Sequence, residues 1–92
     1  MLIRRQKLRL ESVVYDMRDY KNMSGRSGVR EYEINSNFIE IRFSDRSFYR
    51  YSSSSAGSFC FSEMKRLAEM GEGLNSFINT NCKKGYYQKG KY

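Results

Sequence analysis

Histidine and proline are missing from this chain, cysteine occurs twice, and no apolar run is long enough for a membrane span. Without histidine a thiol nucleophile lacks its usual partner base, and a zinc site would need more soft ligands than two thiols offer. Glu63, Glu69 and Glu72 fall at exposed positions of an expected helix and do not pair as acid and base. No catalytic residue, metal site or cofactor is therefore expected, and the chain reads as a non-enzymatic protein. The head Met1-Leu2-Ile3-Arg4-Arg5-Gln6-Lys7 has no apolar core of signal-sequence length. A cytoplasmic protein with Cys60 and Cys82 reduced is the expectation, a single disulfide the alternative. Cys60, between Phe59 and Phe61, reads as a small buried hydrophobe.

The chain of 92 residues is one small domain. Its 39% apolar content is low, although six Phe and eight Tyr supply large buried areas from few positions. Self-assembly would ease the shortage of core, so a homo-oligomer, most simply a dimer, is expected. The net charge of +7 is unevenly placed. Residues 1–9 carry +4, residues 79–92 carry +4, and the stretch between them carries −1. Basic ends on a near-neutral centre suit an anionic partner such as RNA or a phosphate-bearing nucleotide, or simply keep the protein soluble.

Residues 2–20 have apolar positions at helical spacing (Ile3, Lys7, Leu10, Val14, Met17, with Lys7 the polar exception), yet Leu8-Arg9-Leu10 and Val13-Val14-Tyr15 also suit a strand. A helix through about residue 20 is the preferred reading, and residues 22–28 form a loop. Strands are expected over 29–34, 38–43 and 48–52, and helices near 58–70 and 74–84, with Ser58 as a helix N-cap. The fold class is thus α+β: a small antiparallel meander of about three strands, then two short helices, with an added N-terminal helix or strand. With Asp45-Arg46 as a two-residue loop, Ile39, Ile41, Phe43 and Phe48 share the core face, and Glu40, Arg42, Tyr49 and Tyr51 the other. A slip of one residue exchanges the faces.

The set Ser36-Asn37-Phe38-Ile39, Tyr49-Arg50-Tyr51, Ser55-Ala56-Gly57-Ser58, Met64-Lys65-Arg66-Leu67-Ala68 and Gly73-Leu74-Asn75-Ser76-Phe77-Ile78 resembles, in order and spacing, the KTSC domain. That module occurs at the C-terminus of some lysyl-tRNA synthetases and as small stand-alone proteins. The resemblance covers about residues 36–86. It departs at Arg46, where a turn glycine is usual, and in the N-terminal extension. The chain accordingly divides into an extension and loop (1–28), a KTSC-like domain (29–86) and a basic tail (87–92) whose lack of any period makes it mobile. The resemblance also implies RNA or tRNA as ligand.

The candidate nucleotide- and phosphate-binding residues are Arg42, Tyr49, Arg50, Tyr51, Ser55, Gly57, Ser58, Arg66, Lys83 and Lys84. Tyr49 and Tyr51 offer aromatic faces to bases. Ser55, Gly57 and Ser58 offer hydroxyls and backbone N–H groups to a phosphate, and the basic side chains supply charge. Two alternatives stand beside RNA binding. One is a phage-type homo-oligomer that sequesters a small cyclic nucleotide signal, which the lack of Pro and His and the abundance of Tyr, Asn and Lys would suit. The other is a protein-interaction module.

Overall fold

The computed structural model of the chain describes residues 17–92. Within them, five strands form one antiparallel sheet in sequential order, β1 (Arg18–Asp19), β2 (Val29–Ile34), β3 (Ile39–Phe43), β4 (Ser47–Tyr51) and β5 (Tyr86–Lys91). Between β4 and β5 the chain forms α1 (Ser53–Ala56), α2 (Ser58–Met70) and α3 (Leu74–Phe77), the last continuing as a π-helical turn over Ile78–Cys82. The class is α+β, with five strands among the described residues instead of about three.

The β3–β4 turn decides which side chains face inward. The Arg46 N–H donates to the Phe43 carbonyl at 3.0 Å, and Arg46 itself takes a left-handed backbone, with φ of 73°. That is a three-residue hairpin loop, in which a type I turn is followed by a residue usually filled by glycine. The Asp45 carboxylate accepts from the Ser47 backbone N–H at 2.9 Å and also from the Ser47 hydroxyl. The extra residue shifts the pairing to Ile39 with Tyr51, Glu40 with Arg50, Ile41 with Tyr49 and Arg42 with Phe48. The expected faces are therefore partly exchanged. Tyr49 and Tyr51 join Ile39, Ile41 and Phe43 on the covered side, while Phe48 turns outward with Glu40, Arg42 and Arg50. Phe48 lies across from Gly90, where a Cβ would stand 2.8 Å from the Phe48 ring, so only glycine leaves room for it.

The helices cover the inward face. In α2, Cys60, Phe61, Met64, Leu67 and Ala68 form a buried stripe at helical spacing, and with Leu74 and Ile78 they pack on Ile39, Ile41, Tyr32 and Tyr51. Helix α2 stops at Gly71, whose φ of 83° and close approach to Lys21 exclude a side chain. The loop before β2 is tied down on the same side. The Tyr20 hydroxyl accepts from the Leu74 N–H at 3.3 Å, and the Met23 N–H donates to the Gly71 carbonyl at 2.8 Å.

Four expectations are corrected. Arg18 and Asp19 pair with Tyr32 and Glu31 as a short strand and do not end a helix; the rest of the 2–20 reading lies outside the described residues. The tail expected to be mobile is instead β5, paired along β4 from Ser47 to Tyr51. Ser58 is the first helical residue and not the cap, a position that falls to Gly57. Cys60 and Cys82 form a disulfide, with Cα atoms 6.3 Å apart, that bolts α2 to the end of the π turn. Cys60 is buried, as expected. The sheet thus runs past both ends of the 29–86 segment. Among the described residues, no helix is long and apolar enough to cross a membrane.

Candidate functional site

Helix α3 and the π turn stand over β4 and β5 without closing on them, and the gap is a cleft of about 350 Å³. Its floor is aromatic. Tyr49 packs edge-to-face on Phe43 (centroids 5.8 Å apart) and on Tyr86 (5.1 Å), and Tyr86 meets Tyr51 in the same way at 6.4 Å. The inward placement of Tyr49 and Tyr51 follows from the three-residue turn. Asn75, Ile78, Asn79, Lys83 and Lys84 form the helical wall, and Asp45 and Ser47 the rim. A second cleft of about 310 Å³ adjoins the first through Asp45, Ser47 and Tyr49, and is bordered by Lys89, Gly90 and Lys91. The two make one open groove running off the sheet edge.

Electrostatically the groove is cationic with one acidic residue at its middle. Among the described residues Lys83, Lys84, Lys89 and Lys91 form no salt bridge; the ion pairs there belong to arginines. Lys89 leans over the Tyr86 ring at 5.4 Å, and Lys91 donates to the Asp45 carbonyl at 3.4 Å. Hydrogen bonds from Ser47 hold the Asp45 carboxyl below its ordinary range, with Lys91 adding to the effect. Tyr51 is 2% exposed, and no hydrogen bond among the described residues engages its hydroxyl. Burial pushes the ionisation of that hydroxyl well upward. A buried polar group at a cleft wall without a partner is costly unless water or a ligand meets it.

Of the ten candidate residues, the structure brings Tyr49, Tyr51, Lys83 and Lys84 together in this groove. Arg42 and Arg50 lie on the opposite face of the sheet. Each donates its Nε–H at 2.8 Å to one oxygen of Glu40, whose side chain is almost wholly buried. Arg50 also stacks on Phe38 at 4.4 Å, and Arg42 on Tyr92 at 4.6 Å. Ser55 is occupied by a reciprocal capping box with Ser52: each backbone N–H donates to the other's hydroxyl, at 3.0 and 3.1 Å. Gly57 and Ser58 are exposed at the α1–α2 junction, away from the groove. Arg66 is paired with Glu63 one turn away and contacts the Met70 sulfur. The serine loop and the arginines are therefore not part of one site with the tyrosines.

Sequence reasoning missed Asn75, Asn79, Tyr86, Lys89 and Lys91. Asn75 and Asn79 were legible as an i, i+4 pair beside Ile78. The alternation of Lys89 and Lys91 was a strand signal hidden by the polarity of the segment. No group of three or more His, Cys, Asp or Glu residues suited to a metal exists among the described residues. Compared with family models, with curated proteins and with solved structures, the chain matches none.

Proposed function

We propose that this is a non-enzymatic protein that binds single-stranded RNA along the tyrosine-floored groove. The observation that carries the reading is the segregation of charge. Arg42 and Arg50 on the outward sheet face and Arg66 on α2 are neutralised by Glu40 or Glu63, whereas four lysines with no salt bridge among the described residues flank Tyr49 and Tyr86 in two adjoining clefts. Lysines beside a chain of phosphates gain by releasing condensed counterions, and aromatic floors accept any base by stacking. The resemblance to the KTSC domain belongs to this proposal and points to the same ligand class. A cytoplasmic setting follows from that ligand and would hold Cys60 and Cys82 reduced, so binding is measured in both redox states. Self-assembly, most simply as a dimer, completes the proposal. It is supported by the limited core and by exposed Phe59 and Tyr87, and is checked by sedimentation equilibrium.

A second reading has its own support. The cleft of about 350 Å³ is of a size for one small ligand, which suits sequestration of a small nucleotide. Salt separates the two. Fluorescence anisotropy with a labelled single-stranded RNA of mixed sequence should give a steep fall in affinity with salt, and Lys83→Ala/Lys84→Ala should flatten the log–log slope by about 1.4, roughly 0.7 per lost phosphate contact. Arg66→Ala should leave the slope unchanged. A shallow slope together with tight binding of a mononucleotide or cyclic dinucleotide would favour the pocket reading. Absence of RNA binding at low salt, or an unchanged slope in the double lysine variant, would defeat the groove reading.

A further inference from the structure

The groove carries two side chains whose amides make no hydrogen bond among the described residues. Asn22 holds the Ser27 backbone through both ends of its amide. Asn35 accepts from the Asn37 and Phe38 N–H groups, and Asn81 donates to the Phe77 carbonyl. Asn75 and Asn79 differ. Both line the cleft opposite Tyr49 and Tyr51, and no hydrogen bond among the described residues engages either side-chain amide. They stand four residues apart, one in α3 and one in the π turn, so the helix offers both to the same space. Local widening into a π turn is common where a helix presents functional side chains. Asn75 is half-buried, which limits how freely water can satisfy it.

Each amide pairs one donor with one acceptor in a plane. In a single strand every base exposes a donor–acceptor pair on its Watson–Crick edge. Only adenine carries a second such pair on its Hoogsteen edge, N6 with N7, the edge read in the asparagine–adenine contact, so two amides can engage both edges of adenine alone. A base lying on the Tyr49–Tyr86 floor turns its edges toward the helical wall, where the two asparagines stand. Lysines that bind phosphate cannot distinguish one base from another. Resting on the RNA-binding reading above, we infer that Asn75 and Asn79 are specificity-determining residues that select adenine in the cleft.

The test uses the full chain and labelled eight-nucleotide oligo(A), oligo(U) and oligo(C) at one low and one moderate salt concentration. Wild type should bind oligo(A) about tenfold or more tightly than the other two, the discrimination expected of one well-made amide pair. Asn75→Ala/Asn79→Ala should bring the three affinities to within about twofold of one another while keeping the salt slope, because the phosphate contacts remain. Asn79→Ala alone changes an exposed residue, so it should fold normally and lose part of the preference. Equal affinity of wild type for all three, a preference for another base, or an adenine preference that survives in the double variant would each overturn the assignment. Failure of every oligonucleotide to bind would defeat the RNA-binding reading itself and this inference with it, a result distinct from binding without selectivity.

Discussion

The two faces of the sheet hold basic residues in opposite ways. On the outward face Arg42 and Arg50 share Glu40 and lie over the Phe38 and Tyr92 rings, so their charge is spent within the fold. On the helix-covered side Lys83, Lys84, Lys89 and Lys91 border an aromatic groove without an ion pair among the described residues. A count of bases cannot tell these situations apart. Arginine, with its planar fork, suits fixed contacts to a carboxylate and stacking on rings, whereas lysine leaves a mobile point charge at the surface.

The comparison breaks most readily at the register. Ile41→Ala, at a fully buried site on the covered face, should cost about 2–5 kcal/mol in chemical denaturation. Phe48→Ala, outward and half-buried, should cost only about 1–2 kcal/mol. If the order reverses, the faces are assigned wrongly. Removing the disulfide by Cys60→Ala/Cys82→Ala reopens a loop of 22 residues and should cost about 3 kcal/mol, read as a lower thermal midpoint that reducing agent no longer shifts.

Glu40→Gln sharpens the comparison from the arginine side. It removes the negative charge and one of the two acceptor oxygens, but both guanidiniums are about one-third exposed and can turn to water, so the cost should be near 2 kcal/mol. The variant should also gain weak RNA affinity with a steeper salt slope, since the Glu40 charge no longer offsets Arg42 and Arg50, although Arg42 keeps Glu31 at 3.7 Å. Unchanged salt dependence would mean that they are shielded for another reason. The smallest effect is expected at Tyr51. Tyr51→Phe keeps the ring and deletes a buried hydroxyl that makes no hydrogen bond among the described residues, so stability should stay level or rise by up to about 1 kcal/mol. The hydroxyl's ionisation is raised in the fold, so it has no pH-dependent effect on stability below the unfolded tyrosine value near 10 and lowers stability as pH rises beyond it. Thermal midpoints at increasing alkaline pH should therefore fall less in the phenylalanine variant than in wild type.

Much of this architecture could be read from the residues. The alternation of Ile39, Ile41 and Phe43 marks a strand, and the stripe through Phe61, Met64 and Leu67 marks the main helix. The register was not legible, because Ser44-Asp45-Arg46 closes as a three-residue loop only if Arg46 accepts a left-handed backbone, which arginine seldom does. That one residue exchanged Phe48 for the two tyrosines. β5 escaped notice because its inward positions, Lys89 and Lys91, line an open groove and carry no apolar alternation. Of the site, Tyr49, Tyr51, Lys83 and Lys84 were legible from residue type. The loss of Arg42, Arg50, Arg66 and Ser55 followed from pairings with Glu40, Glu63 and Ser52 that depend on three-dimensional placement. The disulfide was one of two options the sequence left open, since two thiols 22 residues apart do not declare their geometry.

The position of β5 has a kinetic consequence. Strands β2, β3 and β4 are joined by short turns, so their pairings close small loops and can form early. β5 reaches β4 only after the chain has passed through α1, α2, α3 and the π turn, a far longer loop whose closure costs more entropy before any contact repays it. The meander should therefore assemble first and β5 last, and destabilising β5 should chiefly accelerate unfolding while leaving the folding rate nearly unchanged. Because β5 supplies Tyr86, Lys89 and Lys91, the groove exists only after this final step, and a ligand held there should slow the first step of unfolding.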